Sequence, residues 1–174
     1  IAIKECMMHE NLFGVLVSHG SSTVPKYIVD EINALGGNIQ NDYGISIDEL
    51  KAAIPCGIGK INVDTDIRLA VTRNMKEFFK NNPSKRDSAS IGGVYQLLEE
   101  KKDQFDPRAF LPPIMDTVMY GTIKDDDTAA LVEVIEKGVK EAIGTLIVEF
   151  GSFGKAPLVE QISLEEMIER YKKM

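Results

Sequence analysis

The side chains best suited to chemistry in this sequence gather in two short strings. The first is His19-Gly20-Ser21-Ser22, one residue after the apolar run Val15-Leu16-Val17. An imidazole fixed at the end of a strand can ligate a metal, a glycine lets backbone amides close on an anion, and a serine hydroxyl adds a donor. Taken alone, the string fits an imidazole satisfying a turn just as well. The second string is Asn62-Val63-Asp64-Thr65-Asp66. Thr65 and the neighbouring N–H groups stand where a helix dipole favours a phosphate, and Asn62 can orient a substrate hydroxyl or carbonyl. Ordinary N-capping by Asp64 and Asp66 is the competing reading. Two polar termini on neighbouring strands would face one shared cavity, which raises the functional reading of both.

Both strings need strands to carry them. Gly14 to Ser18 is a β-branched apolar run read as a buried strand. Pro25 fits a first helical turn, and Ile28, Ile32 and Leu35 recur at helical spacing until Gly36-Gly37 stops them. Ser46 followed by Glu49 is a capping box for a helix to about Ile54, closed by Pro55-Cys56-Gly57. Ile58 to Val63 reads as a second buried strand, and the helix after it carries Ile67, Ala70, Val71, Met75, Phe78 and Phe79 towards a core. Beyond a polar breaker at 81–90, helices are expected over about 91–102, 107–120, 127–150 and 164–173, with Gly92-Gly93 and Pro112-Pro113 weakening the first two. Strands alternating with helices predict a parallel sheet with ligand-binding loops at the strands' carboxyl ends.

The 174 residues, 44% of them hydrophobic, suffice for one sizeable core. No apolar run approaches the roughly 20 residues that span a bilayer, Leu146 to Phe150 being broken by Glu149. A net charge of −7 argues against nucleic acid as a partner, and no membrane partner is expected. Cys6 and Cys56 make no disulfide framework and suit a reducing compartment, so a cytoplasmic location is expected. The sequence opens at Ile1 without a secretory pattern and reads as part of a longer polypeptide. Several other features read plainly. Asp125-Asp126-Asp127 before Thr128 is a helix cap rather than a divalent-ion site, Cys56 is packing, and Met7, Met8 and Met75 are core. Glu165, Glu166, Lys172 and Lys173 form a solvated helix face.

The strings Leu16 to Pro25, Gly36-Gly37, Tyr43-Gly44-Ile45, Lys60 to Ala70, Phe105-Asp106-Pro107-Arg108 and Phe150 to Lys155, in this order, resemble class II fructose-bisphosphate aldolases. The resemblance covers nearly the whole chain but only the carboxyl-terminal half of the family's barrel. It implies an α/β fold that is part of a TIM (β/α)8 barrel: its last βα units at about 1–80, then a helical extension at about 81–174. A complete barrel takes about 200 to 250 residues, and only two strands are convincing here.

The resemblance also implies roles. His19 would be a zinc ligand; Gly20 and Ser22 would contact a phosphate of the ketose bisphosphate and help hold a monovalent cation, Na+ or K+. Asn62 would lie beside the dihydroxyacetone portion, with Asp64 and Thr65 near its phosphate. Arg108 would bind the other phosphate in a neighbouring subunit's site, implying a homo-oligomer, a dimer or tetramer, with Arg108 acting in trans. The implied reaction is the glycolytic and gluconeogenic lyase step, reversible aldol cleavage of fructose 1,6-bisphosphate to dihydroxyacetone phosphate and glyceraldehyde 3-phosphate. Cleaving a carbon–carbon bond beside a ketone leaves a carbanion, which a zinc ion at the ketone oxygen stabilises. Catalytic zinc takes three protein ligands, and His9, in a helix before the first strand, does not complete the set. The other ligands and the general base are therefore expected upstream, and the isolated chain is expected to be inactive. Three alternatives stand beside this: a tagatose-bisphosphate aldolase, a Schiff-base aldolase using Lys60, and a phosphate-binding or assembly module without catalysis. Stretches 83–104 and 119–140 read as longer than in many relatives.

Overall fold

The structure, a computed structural model, describes residues 1–11, 14–40, 44–159 and 161–173. Helix α1 (Ala2–His9) leads into β1 (Leu16–Ser18), α2 (Lys26–Ala34) and α3 (Ile47–Ala53). Then come β2 (Ile58–Ile61), α4 (Thr65–Asn81), α5 (Gly92–Glu100), α6 (Met115–Tyr120), α7 (Asp126–Glu149) and α8 (Leu164–Lys172). Strands β1 and β2 pair in parallel, with Leu16 opposite Ile58 and Ser18 opposite Ile61. Parallel pairing requires a crossover, and α2 and α3 provide it. The shared direction brings both strands' carboxyl ends, and the two polar strings beyond them, to one edge.

Local chemistry explains the boundaries. The Ser46 hydroxyl accepts from the Glu49 amide at 3.2 Å while the Glu49 carboxylate accepts from the Ser46 amide at 3.0 Å, so the expected capping box starts α3. The Ser46 hydroxyl also donates to the Glu49 carboxylate at 2.8 Å, and this bond, followed by the one from the Ser46 amide, holds the Glu49 carboxyl below its ordinary pKa. Asp125 caps α7 by accepting from the Thr128 amide at 2.8 Å, and Asp127 pairs with Lys85 and Ser88. The acidic triplet is thus a structural cap, as the sequence suggests. The helix expected over 107–120 is broken instead. Two 3-10 turns, Pro107–Ala109 and Pro112–Ile114, precede the short α6, because the adjacent prolines lack the N–H groups a continuous α-helix needs.

The core lies in the helical half. Met75 and Phe79 of α4, Val94 and Leu98 of α5, Phe110, and Leu131 of α7 are all at most 1% exposed. A second cluster joins Ile28, Val29 and Ile32 of α2 to Leu69 and Ala70 of α4. Helix α4 therefore faces two ways. Gly138 lets α7 lie directly on it, since a Cβ there would stand 2.9 Å from the Val71 Cα.

The strands depart from expectation. No residue of β1 or β2 is buried, and Val15 and Val17 are 68% and 46% exposed. A strand read as buried needs a covering layer on each face, and the described residues supply too little of one. Met8 is likewise 68% exposed rather than core. Among the described residues no helix is long and apolar enough to cross a membrane.

Candidate active site

At the shared edge the two strand termini are cross-linked. The Asn62 amide Nδ2 lies 3.0 Å from His19 Nδ1, and the Asn62 backbone N–H donates to the Ser18 carbonyl at 3.0 Å. Ser22 then does what was expected of the acids. Its Oγ accepts from the Asp64 and Thr65 amides at 3.1 and 3.0 Å, so a side chain from the β1 loop satisfies free N–H groups at the start of α4. Asp64 makes no side-chain cap. It turns outward to Arg68, whose Nε donates to it at 2.8 Å. Asp66 is buried in the first turn of α4, where its carboxylate accepts the Thr23 backbone N–H at 2.9 and 3.1 Å and the Thr23 hydroxyl. The capping reading of these two acids is corrected on geometry: the helix start is already occupied by Ser22.

These bonds hold a strained loop. Val24 has φ 47°, a left-handed conformation costly for a β-branched residue, and it follows directly on the Thr23 clasp. Gly20 has φ 64°, which glycine adopts freely. Gly44 passes so close that a Cβ would fall 2.2 Å from the Thr23 carbonyl oxygen, and the next amide, of Ile45, donates to the Ser22 carbonyl at 3.1 Å. This is the physical use of the Gly44-Ile45 string; Tyr43 lies outside the described residues.

Arg68 extends the network. Its Nη1 donates to Asp106 at 2.5 Å, and Asp106 in turn accepts from the Arg108 Nε at 3.0 Å. The Arg108 hydrogen bond, with Arg68 and Arg108 as neighbouring positive charges, holds the Asp106 carboxyl below the usual carboxylate range. The same contact raises the Arg108 pKa. Arg108 is 71% exposed in its side chain, tethered to the same edge as Asp64 but free towards solvent. Sequence reading assigned Arg68 no role, although its place four residues after Asp64 on one helix was a usable signal.

The residues fit a zinc ion only in part. His19 is exposed and its Nε2 has no protein partner among the described residues, which suits one ligand. Among the described residues no three His, Cys, Asp or Glu side chains come together to complete a site. A metal on Nε2 also requires the ring proton on Nδ1, so the Asn62 amide must turn to present Oδ1 as acceptor. Lys60 is exposed on β2, with no ion pair among the described residues. Among the described residues, neither described cavity is lined by both strings. A cavity of about 710 Å³ lies on the far side of the clasp, lined by Thr23, Asp66, Arg73 and Glu141 among others, and neither His19, Ser22 nor Asn62 lines it. Two strands form a ridge, and a cup needs further strands on either side.

Residues 2–155 match the sequence family described as fructose-bisphosphate aldolase class-II. A fructose-bisphosphate aldolase from Xanthobacter flavus is 32% identical over 156 residues, covering 90% of this chain and 33% of that protein. Those from Nostoc sp. and Stutzerimonas stutzeri are 31% and 33% identical, with 91% and 90% of this chain covered. The chain spans about a third of the length of the curated relatives it matches: 33% in each of these three.

Proposed function

We propose, for a chain that belongs to the class II fructose-bisphosphate aldolase family, that it contributes part of the site for reversible aldol cleavage of fructose 1,6-bisphosphate to dihydroxyacetone phosphate and glyceraldehyde 3-phosphate. In this reading β1 and β2 are neighbouring strands of a TIM barrel whose remaining strands lie elsewhere in the polypeptide. The observation that carries the reading is the 3.0 Å contact between Asn62 and His19, joined to a Ser22 hydroxyl at the head of α4. It brings a metal-ligand type, a carbonyl-orienting amide and a phosphate-suited helix start to one edge.

Each residue then has a task. Asn62 fixes the His19 ring, and His19 would supply one of three zinc ligands. When bound, zinc acts as a Lewis acid that draws electron density from the substrate ketone. Gly20, Ser22 and Thr65 hold a phosphate, whose remote binding energy fixes the reacting carbon, with a monovalent cation beside it. Asp64 lies near that phosphate, and its ion pair with Arg68 offsets the repulsion its carboxylate would exert there. Arg108, exposed and always charged, suits the second phosphate of a neighbouring copy in a cytoplasmic homo-oligomer. The general base comes from residues outside this chain.

The test is the native protein's cleavage of fructose 1,6-bisphosphate. A chelator and His19→Ala should each lower kcat by about 10²-fold or more, whereas Ser22→Ala should chiefly raise KM, by about tenfold. Unaltered kinetics in both variants would overturn the assignment.

A further inference from the structure

A second, smaller cavity lies far along α4 from the strand ends. It measures about 150 Å³ and is walled by the end of α2 at Ala34 and Leu35, by Lys76, Phe79 and Lys80 of α4, by Arg86, and by Tyr95, Leu98 and Glu99 of α5. Lys76 is eleven residues after Thr65, or about 16 Å along the helix axis.

Three cations line this cavity in a chain whose net charge is −7. Lys76 is only 5% exposed, and its Nζ donates to a single acceptor, the Leu98 carbonyl, at 3.2 Å. No carboxylate pairs with it among the described residues. Lys80, one turn further on, is exposed and also lacks an ion pair there. Arg86 spends its Nε on the Phe79 carbonyl at 3.0 Å and rests its guanidinium over the Tyr95 ring, 5.2 Å from the centroid. Its two Nη groups have no protein acceptor among the described residues. Glu99, the single acid on the wall, faces Lys102 at 3.8 Å. Burying a lysine charge without an ion pair is costly, and burial here pushes the Lys76 pKa down, the nearby Glu99 charge opposing it only in part. An anion in the cavity would remove that cost.

We propose that this cavity binds a small oxyanion, held by the Lys76 ammonium at its floor and by Lys80 and the Arg86 Nη groups at its mouth. The volume falls below the roughly 300 Å³ at which pockets begin to take larger organic ligands, so the occupant is a phosphate or a carboxylate group of its size.

The experiment is a titration of the native protein, carrying labelled leucine methyls, with inorganic phosphate and separately with acetate. The Leu35 and Leu98 methyl resonances are followed. Saturable movement of both is expected, and the anion that saturates them at lower concentration identifies the source. Arg86→Gln should weaken that binding about tenfold and Lys80→Ala about threefold, while Lys76→Met should abolish it. Because Lys76→Met alters a buried position, the two rim variants decide the matter if it fails to fold. Ser22→Ala should leave the Leu98 titration unchanged, which separates this cavity from the strand-end site. The proposal is overturned if neither anion moves these methyls to saturation, if the rim variants leave the affinity unchanged, or if Ser22→Ala removes the response.

Discussion

The two ends of α4 are held in opposite ways. At its start, polar bonds pin the helix to the β1 loop: Ser22 to the Asp64 and Thr65 amides, Thr23 to Asp66, Asn62 to His19. At its middle and far end, Met75 and Phe79 are sealed among apolar residues of α5, α7 and the turns between them. Apolar packing is non-directional and tolerates small shifts, whereas hydrogen bonds fix distance and angle. The part that must place an imidazole and an amide within 3 Å uses directional bonds. The part that must supply stability uses buried area.

That contrast can be broken by experiment. Phe79→Ala should have the largest effect, about 3–5 kcal/mol of unfolding free energy by urea titration, because it empties a fully buried ring site. Asp66→Asn should cost less, about 1–3 kcal/mol, since the amide keeps the volume but loses acceptor capacity for the Thr23 N–H and hydroxyl. Its signature is local: hydrogen exchange at the Thr23 amide should accelerate while the Phe79 amide keeps its protection relative to global stability. If Asp66→Asn destabilised the chain as much as Phe79→Ala, the division between polar placement and apolar stability would fall.

The smallest effect concerns Asp106. Its pKa is depressed in the fold, so the unfolded chain takes up the proton first as pH falls. The contribution is therefore fully present above the unfolded carboxylate pKa, about 3.9, and is lost as pH falls through the lower folded value. Thermal melts of the wild type and Asp106→Asn should converge below that pH and differ above it by less than about 1 kcal/mol, the scale of exposed ion pairs.

Much of the scaffold was legible because it is written locally. The period of Ile28 and Ile32, the Ser46–Glu49 box, the Asp125 cap and the Pro112-Pro113 interruption all act over a few residues of chain. The Pro112-Pro113 signal was read as a weakening and proved to be a break. Where the reading went astray, the deciding partner was distant. Asp64 and Asp66 look like caps by position, yet the cap comes from Ser22, more than 40 residues earlier. Val15, Val17 and Met8 look like core by type, yet burial depends on what is packed against them.

The sequence by itself determined most of the helix and strand segments and which two strings follow the strands, because backbone sterics and periodicity act between near neighbours. The alternation of strands with helices added the expectation that the strands run parallel. Tertiary structure alone decided that Asn62 meets His19, that Ser22 rather than an aspartate starts α4, that Arg68 bridges Asp64 to Asp106, and that Lys76 is buried beside two further cations. The Asn62–His19, Ser22–Thr65 and Arg68–Asp106 pairings span 38 to 43 residues. Such contacts arise only when packing brings remote groups within hydrogen-bond reach.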